Sequence, residues 1–469
     1  MSEIKFGTSG WRAIIAEDFT FQNVRLATAA IAEFVKRALP QPRLIVGYDT
    51  RFLAEKFAWE SAEVLSGLGV QAYYCRSATP TPAIAAEVLR RKTDGAINIT
   101  ASHNPGEYCG LKFSSSDGAP ALPEITRQLE QLIESLKATP RLYNSVRPQH
   151  ELIERIDITA EYLGLMENIV DLKSIRQSGV KVGYDPLYGT GVGYLDGLLS
   201  SSGIPVHTIH DRRDVLFGGH PPEPAEDILA DLKALVSHGQ ADLGLSTDGD
   251  ADRFGILDRS GDYIPPNQIL GLLFDYLIET RGWKGGAARS VATSHFVDAV
   301  ARFHQRELHE TPVGFKYIGE LIKADKIVIG GEESAGLTIK GHVPEKDGIL
   351  ACLLAAEAVA RRGKSLRQQL DELQQKVGFF FTVRLNLHLT EELKEKVRVR
   401  LESPPKQLGG RTVVRLNRLD GLKMMFEDDS WILLRLSGTE PVARCYVETH
   451  SQQELERLTQ VAKEFVLND

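Results

Sequence analysis

The sequence predicts α/β domains with largely parallel sheets, closed by a smaller α+β domain. Three observations carry this. Apolar runs of strand length alternate with segments of helical periodicity through most of the chain. At about 150 residues per domain, the 469 residues give a prior of three domains with four allowed. Finally, Gly47-Tyr48-Asp49 and Gly183-Tyr184-Asp185 end two similar apolar runs, which hints at a duplicated unit.

Phe21 to Leu39 carries Val24, Ala27, Ile31, Phe34 and Val35 on one stripe and reads as the first long helix. Arg43 to Asp49 reads as a strand and its exit, Ser61 to Leu68 and Pro82 to Leu89 as helices, and Gly95 to Thr100 as a strand. The polar stretch Asn144 to Glu154 precedes a helix from Ala160 to Leu172, so the first domain is placed at 1–153. Val180 to Asp185 repeats the strand and exit, and Gly189 to Gly193 reads as a strand-to-helix turn. Ala241 to Thr247 and Phe254 to Leu257 flank an acidic turn and close a second domain, 154–257. Ile349 to Ala360 is helical, and the basic and polar run after it ends a third domain, 258–372. The remainder, 373–469, alternates strands (Phe379 to Leu385, Leu433 to Leu436, Arg444 to Thr449) with amphipathic helices (Glu391 to Leu401, Gln453 to Val466).

Composition narrows the functional classes. Lys plus Arg number 55 against 63 Asp plus Glu, a net charge of −8, which disfavours broad binding to nucleic acid or an anionic membrane. An anionic ligand then requires a local cationic pocket. Cys75, Cys109, Cys352 and Cys445 lie far apart without a CxxC pair, so neither a disulfide framework nor a zinc site is expected. With no long apolar segment near residue 1 and Glu357 interrupting the most apolar stretch, the expected location is cytoplasmic.

Four segments carry chemistry. Ser102, in Thr100-Ala-Ser-His-Asn-Pro105, follows a strand, at the edge where open α/β sheets place ligands. His103, Asn104 and Lys112 supply polar partners for its hydroxyl or for a phosphoryl group on it; the same segment also reads as an Asn-Pro turn with an exposed serine. Asp248, Asp250 and Asp252 stand at i, i+2 and i+4 on one loop, where their mutual repulsion calls for a cation. Hard oxygen ligands with few extra protein donors suit Mg²⁺ that also binds phosphate. An EF-hand is excluded because Arg253 and Arg259 stand where its Gly and Glu belong, which leaves a solvated acidic turn as the rival. Arg435-Leu-Ser437-Gly438-Thr439-Glu-Pro, followed by Arg444, suits a phosphate cradle of backbone N–H groups, hydroxyls and forked arginines, or a plain hairpin turn. In Gly331-Glu-Glu-Ser334, an extended loop would point Glu332 and Ser334 the same way, toward neighbouring sugar hydroxyls; a helix-entry loop is the rival. The chain has no P-loop, and Tyr194 stands where the third glycine of G-x-G-x-x-G would follow Gly189-Thr-Gly191.

Taken in order, these segments resemble the α-D-phosphohexomutase superfamily across nearly the whole chain. Thr8-Ser-Gly-Trp-Arg12, Gly110-Leu-Lys-Phe113 and Gly314-Phe-Lys-Tyr-Ile318 add further matches. The resemblance implies a heart-shaped enzyme of four domains: three similar mixed α/β domains and a smaller C-terminal α+β domain around a central cleft. It implies phosphorylation of Ser102, Mg²⁺ bridging Ser102 to Asp248, Asp250 and Asp252, and a last domain that holds the non-reacting phosphate through Arg435, Ser437, Gly438, Thr439 and Arg444. Arg12, Arg253 and Lys112 are then available to stabilise the moving charge, with Lys112 as the general acid/base candidate and His103 in support.

The implied partner is a small hexose phosphate, with neither nucleic acid nor membrane, in a monomer or a dimer. Glucose 1,6-bisphosphate is the implied activator and intermediate, turning end for end between two half-reactions. Gly331-Glu-Glu-Ser334 and the Phe315-Lys316 pair are similar to the glucose-selective phosphoglucomutases, while Ala335 departs from the bulkier residue often found there. Phosphomannomutase, phosphoglucosamine mutase and glucose 1,6-bisphosphate synthase are the related alternatives. A serine-dependent metal phosphatase is the rival enzyme, and a catalytically silent sugar-phosphate binder is the rival of another class.

Overall fold

In the computed structural model, residues 4–7, 9–436 and 441–467 are described. Three of its sheets share one plan: parallel strands with a final antiparallel partner. The first runs in the order Trp11–Ile14, Tyr108–Ser115, Gly95–Ile99, Arg43–Tyr48, Gln71–Cys75, Ile153–Ile156. Its last strand pairs with Gln71–Cys75, so this sheet extends past residue 153. The second sheet is ordered Phe254–Leu257, Leu243–Thr247, Val182–Asp185, Val206–Thr208, and the third Leu308–Thr311, Gly286–Ser290, Ile327–Glu332, Gly336–Ile339. The sheets are thus mixed rather than largely parallel, because each parallel strand that leads to a chemical loop returns at once as an antiparallel hairpin. The last sheet pairs antiparallel throughout, in the order Phe381–His388, Val442–Thr449, Trp431–Leu436, Leu422–Phe426, Arg411–Asn417, Gln407–Leu408.

The repeated Gly-Tyr-Asp marks equivalent places. Arg43–Tyr48 and Val182–Asp185 each lie parallel to the strand that carries a chemical loop. Asp49 Oδ1 accepts from Arg51 N at 2.9 Å, and Asp185 Oδ1 accepts from Leu187 N at 2.8 Å, the same Asx turn twice. A Cβ at Gly47 would lie 2.2 Å from Ile84 Cδ1, and one at Gly183 2.5 Å from Leu235 Cδ2, so in both units a helix packs down onto the glycine.

Helix boundaries follow local chemistry. Phe21–Ala38 starts at Thr20, whose side chain accepts from Asn23 N. The helix expected over Ala160 to Leu172 is two, Thr159–Ile169 and Leu172–Ser178, because the Asp171 carboxylate caps the second through Ser174 N. Gly348–Arg362 is buried along most of its length and packs on both the second and third sheets. Its Glu357 is neutralised by Arg281 at 2.9 Å and accepts from Tyr276 Oη and Asp171 N. The four cysteines are buried thiols. Among the described residues no helix is long and apolar enough to cross a membrane.

Candidate active site

The serine loop is built on a buried arginine. Asp49, at the strand exit, pairs with Arg51 Nε at 3.0 Å, and both side chains are fully buried. The four remaining guanidinium N–H bonds reach backbone carbonyls of one loop: Ser102 and Asn104 at 2.6 Å from Nη2, Pro105 at 2.6 Å and Tyr108 at 3.0 Å from Nη1. All five side-chain donors of an arginine are thereby used. Phe217 lies under the same guanidinium, 4.8 Å from its ring centroid. This scaffold holds Ser102 at φ +53°, a left-handed conformation that a serine adopts only at a cost. Ser102 N donates to Thr100 Oγ1 at 2.8 Å, and its Oγ, buried, donates to Asp248 Oδ2 at 2.7 Å. The alternative of an exposed serine on a turn is excluded.

The acidic loop closes on itself, with Asp248 Oδ1 accepting from Asp252 N at 2.9 Å and Arg253 N at 3.0 Å. Asp248, Asp250 and Asp252 are buried, and ligand oxygens from the three lie within 4.8 Å of one another. A solvated acidic turn is therefore also excluded. Glycines permit the approach of the loops: a Cβ at Gly249 would be 2.6 Å from Ser102 O, and one at Gly189 2.8 Å from Asp248 O. Thr81 donates its hydroxyl to Asp250 Oδ2 at 2.5 Å and its amide to Asp250 O.

Charge in this cluster is uneven. Burial, then Asp252 and Asp250, push the Asp248 carboxyl well above its usual range. Burial would raise Asp252 as well, but Lys112, Lys346 and Arg253 hold it far below. Lys112 Nζ lies 2.6 Å from Asp250 Oδ2 and 3.0 Å from Asp252 Oδ2, and Lys346 Nζ lies 3.0 Å from Asp252 Oδ2. Burial lowers the Lys112 pKa, yet the two carboxylates more than reverse this, so the group stays cationic. Asp250 Oδ1 and Asp252 Oδ1 are buried without a hydrogen-bond partner among the described residues. Two orphaned carboxylate oxygens, a raised third carboxyl and a hydroxyl in contact with it form a hard-oxygen donor set that a divalent cation such as Mg²⁺ fits.

Two arginines flank the aspartates. Arg12 Nη1 donates to Asn104 Oδ1 at 2.6 Å, and burial together with neighbouring Arg253 brings its pKa down to about 10. Arg253 pairs with Glu223 at 3.1 Å, while its buried Nε has no partner among the described residues. His103 Nδ1 lies 3.3 Å from Ser102 Oγ, and burial beside Arg253 and Arg12 keeps the ring neutral.

The Glu332 loop is a tight hairpin, not the extended segment or helix entry expected. Ala335 N donates to Glu332 O, and Ala335 takes the left-handed position of the three-residue turn at φ +67°. The turn sends adjacent side chains to different partners: Glu332 Oε1 accepts from Gly314 N at 2.8 Å, and Glu333 Oε2 from Ser290 and Thr293 hydroxyls. Burial, then the charge of Glu333, raise the Glu332 carboxyl to about 7. Ser334 is half-buried, and Lys316 is buried on the helix Phe315–Lys323, its pKa lowered by burial.

In the last domain Arg435 and Arg444 face each other across neighbouring strands. Like charges directly opposite are unfavourable without a counter-ion, and Asp420 supplies one to Arg435 at 2.8 Å. Ser437, Gly438, Thr439 and Glu440 of the expected phosphate cradle, and Thr8 of the N-terminal motif, lie outside the described residues.

Sequence reasoning missed Arg51, Thr81, Glu223, Lys346 and Asp420. Arg51 had a signal in its position two residues after a strand-ending aspartate. Lys346 had one in the charged Glu345-Lys-Asp347 before an apolar helix; the remaining three became visible only through the tertiary contacts above.

Family models describe the same architecture. Phosphoglucomutase/phosphomannomutase alpha/beta/alpha domains I, II and III match residues 3–140, 160–261 and 265–377, and the C-terminal domain of that family matches 396–464. A Methanopyrus kandleri relative bearing the name "probable phosphoglucosamine mutase" is 30% identical over 98% of this chain and 96% of its own length. The chain belongs to the phosphoglucomutase/phosphomannomutase family. Another family member, the phosphoglucomutase/phosphomannomutase of Thermococcus kodakarensis, is 28% identical over 96% of this chain and 95% of its own. A solved relative, a putative phosphomannomutase from Thermus thermophilus, superposes with a TM-score of 0.87 at 31% identity, covering 99% of each chain. As a phosphohexomutase, the protein is an enzyme that moves phosphate on a phosphosugar.

Proposed function

We propose that this phosphohexomutase interconverts glucose 1-phosphate and glucose 6-phosphate through a phosphoserine at Ser102 and bound glucose 1,6-bisphosphate. The observation that carries the reading is the 2.7 Å contact of a buried serine hydroxyl with a buried aspartate triplet. Asp248, Asp250, Asp252 and Ser102 would hold Mg²⁺, which supplies charge neutralisation of the phosphoryl group. In the first half-reaction the substrate hydroxyl forms a bond to phosphorus and gives up its proton, the bond from phosphorus to Ser102 Oγ breaks, and Oγ takes up a proton. Neutral His103, with Nδ1 3.3 Å from Ser102 Oγ, can accept a proton, and cationic Lys112, paired with Asp250, can donate one. Arg12 and Arg253 meet the charge spread over the transferring group. The sugar is gripped by Glu332, Ser334 and Lys316, and its far phosphate by Arg435, Ser437, Gly438, Thr439 and Arg444. The bisphosphate turns over between half-reactions, so that one clamp serves both orientations.

Glucose is favoured by Glu332-Glu333-Ser334 and by Phe315-Lys316. Relatives named for glucosamine and for mannose make those sugar phosphates the comparison substrates. The test is turnover of glucose, mannose and glucosamine 1-phosphates with Mg²⁺ and a trace of the matching bisphosphate, by wild type and Ser102→Ala. Glucose 1-phosphate should turn over fastest and Ser102→Ala should be inactive. A faster mannose or glucosamine substrate overturns the glucose assignment; wild-type turnover by Ser102→Ala overturns the phosphoserine mechanism.

A further inference from the structure

The turn joining Arg411–Asn417 to Leu422–Phe426 places a carboxylate between two parts of the site. Asp420 Oδ2 accepts from Arg435 Nη2 at 2.8 Å and from Val313 N, in the third domain, at 3.0 Å. The next amide along, Gly314 N, donates to Glu332 Oε1 at 2.8 Å. One backbone step therefore separates a carboxylate that holds the arginine of the last domain from the carboxylate proposed to grip the sugar. Gly314 is also the N-cap of the helix that carries Lys316.

The turn itself is held on three sides. Gly421 sits at φ +85°, and a Cβ there would lie 2.4 Å from Leu434 O and 2.6 Å from Arg435 Cγ, so the turn packs directly on the arginine stem. Arg418 donates to Leu401 O at 2.9 Å and Glu402 O at 3.0 Å on the far side. Asn417 Nδ2 reaches across the domain boundary to Glu310 Oε1. Asp420 is thus fixed relative to both domains, and its charge offsets part of the repulsion between Arg435 and Arg444.

We propose that Asp420 is a positioning residue that ties Arg435 to the Val313–Gly314 segment, so that the phosphate clamp and the sugar grip assemble as one unit. This rests on the reading of Arg435 as a phosphate ligand. Removing the Asp420 charge lets the Arg435 side chain swing and uncouples the two loops, which weakens ground-state binding of the sugar phosphate while leaving phosphoryl transfer at Ser102 intact.

The experiment measures kcat, KM and melting temperature for wild type, Asp420→Asn, Asp420→Ala, Arg435→Ala and the Asp420→Ala/Arg435→Ala double variant, using whichever sugar 1-phosphate turns over fastest. Asp420→Ala should raise KM about tenfold with kcat within about threefold. Asp420→Asn keeps an acceptor for Val313 N and should fall between it and wild type. Because the residues act as a unit, the double variant should have the KM of Arg435→Ala alone. A wild-type KM in both Asp420 variants, with Arg435→Ala raising it, overturns the coupling. So does a double variant in which the two effects multiply. A wild-type KM in Arg435→Ala overturns the clamp reading instead.

Discussion

Replacing Arg51 by lysine separates charge from geometry at the serine loop. Lysine keeps a cation beside Asp49 but offers three donors from a single point, where arginine presents five in a planar fork. With one N–H retained by Asp49, at most two remain for the carbonyls of Ser102, Asn104, Pro105 and Tyr108. At about 1–3 kcal/mol for each buried acceptor left unmet, two lost bonds remove about 2–6 kcal/mol of loop stabilisation. The left-handed Ser102 stores only about 1–2 kcal/mol of strain. The loss exceeds the strain without any need to disturb the Asp49 pair, so the loop relaxes while the domain stays folded. A displacement of about 1 Å at a reacting Ser102 costs about 100-fold in turnover. Arg51→Lys should therefore lose about 100-fold in kcat with KM little changed, measured with the same sugar 1-phosphate, and its melting temperature should fall by about 4 °C or more, at about 2–4 °C per kcal/mol. Wild-type kcat in a folded Arg51→Lys enzyme would refute the claim that this fork positions Ser102.

The aspartates of the triplet should respond with opposite signs in metal-free protein. Asp248→Asn removes a carboxylate that burial and two neighbouring charges disfavour, so its melting temperature should exceed wild type; Asp252→Asn takes away the carboxylate that Lys112 and Lys346 share, leaving them Asp250 and Glu345, and should lower stability by about 1–3 kcal/mol. Calorimetry with and without Mg²⁺ checks both, each variant also losing most of the Mg²⁺-dependent rise; the same sign in the two metal-free variants contradicts the charge assignment. Lys423 is buried against Trp431 and donates to Val291 O and His295 Nε2, and burial, then Arg289, lower its pKa to about 7. Between about 7 and the ordinary lysine value near 10.4, the unfolded chain binds more protons at this residue than the folded one, so its contribution to stability rises with pH across that window. The melting temperature of wild type relative to Lys423→Met should accordingly climb from pH 7 to 9; a flat difference would refute the burial of that charge.

Much of the site was legible because its chemistry is written locally. Ser102 follows the strand Gly95–Ile99, and the aspartates follow Leu243–Thr247, each at a hairpin that apolar runs on both sides delimit. The Glu332 loop was placed correctly but shaped wrongly, since periodicity does not report whether a short loop is extended or folded into a three-residue turn. The likeness suggested by Gly-Tyr-Asp extends to the same Asx turn in both units, because the motif combines a glycine that a helix packs against with an aspartate that turns the chain.

The sequence by itself determined the alternation of strands and helices, the loops bearing Ser102 and the three aspartates, and the family resemblance, all of which depend on residue type and spacing within a short window. Only the tertiary structure decided that Arg51 holds the serine loop, that Lys112 and Lys346 share Asp252, and that Asp420 stands between Arg435 and Val313. Those partners are far apart in the chain. A buried charge is stable only where folding brings its counter-charge, and that placement is a property of packed domains rather than of any local stretch of residues.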